Sequence, residues 1–254
     1  MLRRLLTPVL AALLLSGCLG VTTTETGGPP TAPATHPGDA EPFVVKGRVT
    51  TASGEPLVGA EVWADNTLAY NSNVLATTTA EGSYRIELPR QDVTTWRVGG
   101  NARLEYHGQR YEISLVGDQS PFGSAEGAVR DLRLVLTGPI PELAGSFYGA
   151  TVAVHTDLDE TQITDTDNLE VTLTPDGPLV DGSAGQVLTR RVTGGWQVQD
   201  VPIGRYNVTA KHHHPDGRIV DLVVRIRNSG NGYTSSLTAV IPPDADLEIE
   251  VQTP

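Results

Sequence analysis

Three groups of side chains in this 254-residue chain have the types and spacing to do chemistry. His212, His213 and His214 form its one histidine cluster. On a strand His212 and His214 share one side and His213 takes the other. Two imidazoles two residues apart can chelate a transition metal, and Asp216 is close. The competing reading is a strand end entering the turn Pro215-Asp216-Gly217, and the sequence favours it. The second group is Asp157, Asp159, Glu160, Asp165, Asp167, Asn168 and Glu170. Calcium takes about six to eight oxygens, but the spacing of an EF-hand with its central glycine is absent, so a solvated acidic loop is expected. His212, His214, Asp165 and Asp167 are thus the only metal candidates, and no bound metal is expected. The third group is Trp63, Trp96 and Trp196. These are sugar-stacking platforms or core residues, and with aromatics at 5% of the chain the core role is expected.

Covalent catalysis finds no footing. No G-x-S-x-G string occurs, nothing in the spacing positions a Ser-His-Asp triad, and Cys18 is the only cysteine. No catalytic residue is assigned, and the chain is read as a non-enzyme. A net charge of −12 argues against nucleic acid as a partner. With one cysteine no intramolecular disulfide can form, so stability must come from packing.

The elements that must hold these residues read as short strands. Gly 27 and Pro 18 with only 19% charged residues indicate many turns. From Phe43 the pattern has period two: Val45, Gly47 and Val49 alternate with Lys46, Arg48 and Thr50. Val58 to Ala64, Leu75 to Thr79, Tyr84 to Leu88, Trp96 to Tyr106, Tyr111 to Val116 and Val129 to Thr137 follow, with His107-Gly108 as a hairpin turn. Gly138-Pro139-Ile140-Pro141 breaks the series. A second set then runs from Tyr148 to Val251, punctuated by Gly177, Gly182, Gly204, Gly217 and Gly230. No sustained 3.6 period appears. The fold class is all-β: two antiparallel β-sandwich domains of prealbumin-like or immunoglobulin-like type, at residues 42–138 and 145–254.

Ahead of them, Arg3 and Arg4 precede an apolar run from Leu5 to Leu15, which is too short to span a bilayer. The string Leu15-Ser16-Gly17-Cys18 resembles the lipobox of bacterial lipoproteins. The resemblance implies a signal peptide at residues 1–17 and a diacylglycerol on the Cys18 thiol. Residues 18–41, rich in Thr, Pro and Gly, have little to bury and are expected to form a disordered tether. As a flexible coil it would reach roughly 25–30 Å.

The string Gly47 to Val62, with Gly54-Glu55-Pro56-Leu57-Val58-Gly59-Ala60-Glu61-Val62 at its end, resembles the opening of the carboxypeptidase regulatory-like domain. Thr79-Ala80-Glu81-Gly82-Ser83-Tyr84 resembles its next element. The resemblance implies a transthyretin-like sandwich, with Gly59-Ala60 allowing close approach and Tyr84 capping the core. Carboxypeptidases with this module rely on a separate zinc domain bearing H-x-x-E. Here the residue three after each histidine is Asp39, Arg110, Leu158, Pro215, Asp216 or Gly217, never Glu. In the second half, Trp196 to Val208 around Val201-Pro202-Ile203-Gly204-Arg205-Tyr206 resembles a turn of collagen-adhesin B-type repeats and starch-binding-like modules.

These readings combine into a non-catalytic, lipid-anchored cell-envelope protein that presents β-sandwich modules to an envelope protein or polysaccharide. It sits at the outer membrane or cell surface and needs no cofactor beyond the acyl lipid on Cys18. Two alternatives stand beside it, a cell-surface carbohydrate-binding module and a metal-dependent hydrolase accessory protein. Exposed rings on a sheet face would favour the first, and converging His and Asp in a concave site the second.

Overall fold

Alternation of small apolar residues with polar ones builds the first strand set, as it must where one sheet face is buried and the other is wet. A computed structural model describes residues 38–90, 94–163, 166–192 and 195–254; the expected signal peptide, Cys18 and the expected tether up to residue 37 lie outside these. The set comprises Val44–Thr50 (β1), Glu61–Asn66 (β2), Asn73–Thr77 (β3), Ser83–Glu87 (β4), Thr95–Tyr106 (β5) and Gln109–Ser114 (β6). Four short pieces complete it: Val116–Gly117 (β7), Phe122–Gly123 (β8), Ala128–Val129 (β9) and Leu132–Arg133 (β10). One sheet has the order β4-β1-β10-β7 with β9 also on β1, and the other β3-β2-β5-β6 with β8 on β5. Their inner faces close over Val45, Val49, Val62, Ala64, Ile86 and Trp96, all buried.

The second set holds Ala150–Thr156 (β11), Leu169–Pro175 (β12), Leu188–Arg191 (β13), Gln197–Val201 (β14) and Arg205–His213 (β15). Ile219–Ile226 (β16), Leu237–Val240 (β17) and Leu247–Gln252 (β18) follow. The ladder runs β13-β12-β15-β16-β18-β11-β14, with β17 on β15. It turns a corner at β15, whose start pairs with β17 and whose end, Ala210 to His213, pairs with β16. Val171, Leu173, Tyr206 and Val208 from one part and Val152, Val154, Ile249 and Val251 from the other are fully buried. Most pairs are antiparallel; β1–β9, β1–β10 and β11–β18 are parallel. The protein is an all-β chain of sandwich-forming sheets.

The motif residues have legible jobs, with one change of reason. Tyr84 is buried and its hydroxyl donates to the Arg130 carbonyl at 2.5 Å. Tyr206 does the same to Pro202 at 2.8 Å, so each strand set ties a turn down with a buried tyrosine. Gly59, expected to permit close approach, has open space where a Cβ would stand; what it supplies is a backbone φ of +74°, which disfavours any residue with a Cβ. The close approach belongs to Gly47, where a Cβ would lie 1.9 Å from the Arg130 carbonyl oxygen.

Strand pairing is segregated on either side of residues 138–149, yet the described residues from Gly38 to Pro254 form one compact unit. Tyrosine hydroxyls join the two sets. Tyr106 donates to the Pro178 carbonyl at 2.7 Å and accepts from the Arg205 amide at 2.9 Å. Buried Tyr111 donates to the Ile241 carbonyl at 2.6 Å. Asp200 Oδ1 accepts from the Gly138 and Gly149 amides at 2.8 and 3.3 Å, clasping both ends of the connecting segment.

Candidate functional site

The tryptophans divide. Trp96 is a core residue, 1% exposed, with Nε1 donating to Thr94 Oγ1 at 3.2 Å. Trp63 and Trp196 are not: each stands on an outer sheet face, which corrects the expectation of three core indoles.

Trp63 follows from strand periodicity. In β2, Val62 and Ala64 point inward, so Glu61, Trp63 and Asp65 must point out. Across the strands the outer face is a grid. Trp63 lies between Leu75 of β3 and Gly99 of β5, and Asp65 between Asn73 and Arg97. A Cβ on Gly99 would sit 2.8–2.9 Å from three indole atoms, so the Trp63 ring covers the glycine and any side chain there would displace it. Mid-strand glycine weakens a strand, and close approach by a neighbour is one reason to find it there. The loop leaving β2 is shaped by Asn66, whose Oδ1 accepts from the Leu68 and Ala69 amides at 2.9 and 3.0 Å. It carries Tyr70 fully into solvent. Together these elements bound a groove of ≈ 820 Å³.

The Trp196 face is built on β14, β11, β18 and β16. Trp196 has φ +73°, a strained setting for a bulky residue, and is 39% exposed. Its ring stacks on His155 with centroids 6.3 Å apart and planes at 20°. A groove of ≈ 620 Å³ lies beside them. The charges here are paired. Arg227 binds Glu248 at 2.8 Å, and Arg225 binds Glu250 at 2.6 Å and Asp157 at 3.1 Å while lying 4.3 Å over the Tyr233 ring. Tyr233 donates to Asp157 at 2.7 Å. Arg227 Nη1 is 3.3 Å from His155 Nε2 and can only donate, so a hydrogen bond between them requires that nitrogen to accept. Burial, then the nearby Arg227 charge, hold the His155 pKa below its usual value.

The metal candidates are placed as follows. His212 is buried, and its ring lies 4.2 Å from that of His214, confirming a shared side. His213 points elsewhere, with Nε2 3.4 Å from Glu170. The β12–β15 ladder ends at Leu169 opposite His212, and Asp167 sits in the turn Thr166–Asn168 just before it. Asp165 lies outside the described residues, as does Cys18. Among the described residues no group of three His, Cys, Asp or Glu has a geometry that could hold a metal. Besides Glu170, other acids of the segment have structural partners. Asp157 joins the Arg225 cluster, and Glu160 accepts from the Thr253 amide at 2.7 Å and its hydroxyl at 2.8 Å. Burial pushes the Glu160 pKa up, but these bonds and others from Gln162 and Ile163 outweigh it and hold the carboxyl below its usual value.

Fold and surfaces together define a class: an all-β sandwich protein displaying aromatic side chains on outer sheet faces. More particularly, residues 44–121 match the carboxypeptidase regulatory-like domain, the stretch whose glycine and turn spacing carried the resemblance. No curated protein matches the chain. Among solved structures, the Bacillus anthracis TIE protein is similar over 83% of this chain, with 14% identity and a TM-score of 0.40. The chain spans 33% of that protein's length. Shaft pilin SpaA from Lactobacillus rhamnosus GG is 10% identical over 84% of this chain and 98% of its own, TM-score 0.28. A B repeat unit of the collagen-binding surface protein of Staphylococcus aureus is 12% identical over 84% and 100%, TM-score 0.24. Likeness this distant carries no information on activity or partners.

Proposed function

We propose that this chain is a non-catalytic, lipid-anchored cell-envelope protein that presents two β-sandwich modules, residues 42–138 and 145–254, to envelope proteins or polymers. The observation that supports the reading is the outward placement of Trp63 and Trp196. Trp63 is half-buried and Trp196 is 39% exposed, so each leaves part of a large apolar ring on a wet sheet face, where a partner could cover it. In this reading Cys18 carries the lipid, and the tether holds the modules off the membrane.

The test separates attachment from folding. Cys18→Ala is expected to abolish metabolic labelling by fatty acid and to move the protein from the detergent phase to the aqueous phase, with an unchanged melting temperature. A single acyl chain binds a bilayer only marginally, so stable attachment requires more than one. Detergent partitioning that is the same for Cys18→Ala and the parent chain would refute the anchor.

A further inference from the structure

We propose that the outer face of the β3-β2-β5-β6 sheet is a saccharide-binding surface, with Trp63 as the stacking platform for a neutral pyranose whose ring substituents are all equatorial. The proposal rests on the reading of the protein as a contact module and names the chemistry of what one module contacts.

A pyranose of this kind offers two apolar C–H faces and a rim of hydroxyls lying near the ring plane. Binding it from water takes a flat apolar surface for one face and a few polar groups alongside for the rim. The Trp63 row supplies the surface. The indole covers Gly99, so it lies against the sheet instead of standing up from it, and Leu75 extends the apolar row on the other side. The adjacent row supplies the polar groups: Asn73, Asp65 and Arg97 follow one another across three strands. An amide, a carboxylate and a guanidinium give both donors and acceptors, which is what hydroxyls require.

The state of those charges is the second observation. Asp65 and Arg97 are direct cross-strand neighbours of opposite sign, yet no hydrogen bond or ion pair among the described residues engages either head group. Four residues back along the same face, on the other side of Trp63, Glu61 is held by Arg103 at 3.0 Å, and Arg103 also meets Glu112 at 3.6 Å. Trp63 is thus flanked by a paired carboxylate on one side and by an open pair on the side that faces the groove. Their charges cancel locally, and the chain as a whole carries −12, so the surface suits a neutral polymer and disfavours a polyanion.

A rim completes the arrangement. Asn66 fixes the following loop through its side chain and through its amide, which donates to the Ser72 carbonyl at 3.1 Å. Tyr70, fully exposed at the loop tip, is a second aromatic surface bordering the same groove as Trp63. Two rings along one groove suit a chain of sugars better than a single residue.

The test is calorimetric titration of the purified full chain with cellohexaose, with hexagalacturonate as the anionic comparison. Saturable binding of cellohexaose is expected, weakened at least about tenfold in Trp63→Ala, a loss of about 1.4 kcal/mol. Tyr70→Ala and Arg97→Ala are expected to weaken it as well, while Trp196→Ala changes it less than about twofold. Tyr70 and Arg97 are exposed, so these variants report even where Trp63→Ala does not fold. Absence of saturable binding overturns the proposal. So does equal affinity for hexagalacturonate, or unchanged affinity in Tyr70→Ala and Arg97→Ala. Each of those results leaves the Cys18 experiment standing, because that one reads attachment only.

Discussion

The Trp63 and Trp196 faces use the same materials, an outward indole beside carboxylates and guanidinium groups on a β-sheet, and differ in what the polar groups are bound to. Around Trp196 the charges satisfy one another: Arg225 and Arg227 between them engage Asp157, Glu248 and Glu250, and His155 accepts from Arg227. Around Trp63 one flank is closed, Glu61 on Arg103, while on the groove side Asp65 and Arg97 have no hydrogen bond or ion pair to their head groups among the described residues. The indoles differ too. Trp63 sits in a regular strand over a glycine that makes room for it, whereas Trp196 is held at positive φ in the turn entering β14. A closed network with a strained aromatic is an arrangement for shape. An open polar row beside an unstrained, flat ring is an arrangement for a ligand.

The largest effect should come from filling the room under Trp63. Gly99→Val places side-chain atoms where the indole now lies, 2.8 Å from its ring atoms at the Cβ alone. The cost expected from overpacking is about 1–3 kcal/mol, read by urea denaturation, with saccharide binding lost in the fraction that still folds. Denaturation indistinguishable from the parent would mean that the glycine is not what seats the ring.

A smaller effect tests the strain at Trp196. Trp196→Gly and Trp196→Ala both remove the stacking on His155, but glycine tolerates φ +73° and alanine does not. The glycine variant should be the more stable by about 1 kcal/mol. The opposite order would remove the claim of strain.

Much of this was legible beforehand, and the failures have physical reasons. The turns around Tyr84 and Tyr206 could be read because a tight turn demands glycine and proline within a few residues of each other. The outward direction of Trp63 was also present in the sequence. It alternates with Val62 and Ala64 and keeps company with Glu61 and Asp65, but the general preference of tryptophan for cores points the other way from the local period. Gly99 opposite Trp63 was not readable, because it depends on the register between β2 and β5. Nor was the Arg225 cluster, whose members Asp157, Tyr233 and Glu250 come from separate stretches of chain joined only by the fold. The acidic segment looked solvated for the same reason: the Thr253 amide that engages Glu160 is 93 residues away.

The smallest effect is in pH. His155 faces Arg227 from the turn after β16 and Glu248 and Glu250 from β18, and its pKa is lowered by burial first. The unfolded chain therefore binds a proton near pH 6.5 that the folded one still refuses, so stability contributed at neutral pH should fall as the pH drops below about 6.5. His155→Gln should flatten that part of the melting-temperature profile, while Trp63→Phe leaves its shape unchanged. A profile that keeps its slope in His155→Gln would assign the effect to another group.

The difference between the two faces is read most directly from the three indole Nε1–H signals in a proton–nitrogen correlation spectrum, one for each of Trp63, Trp96 and Trp196. On titration with cellohexaose the Trp63 signal should move and saturate, while those of buried Trp96 and of Trp196 in its closed network stay in place. Movement of the Trp196 signal with Trp63 unshifted would contradict the account.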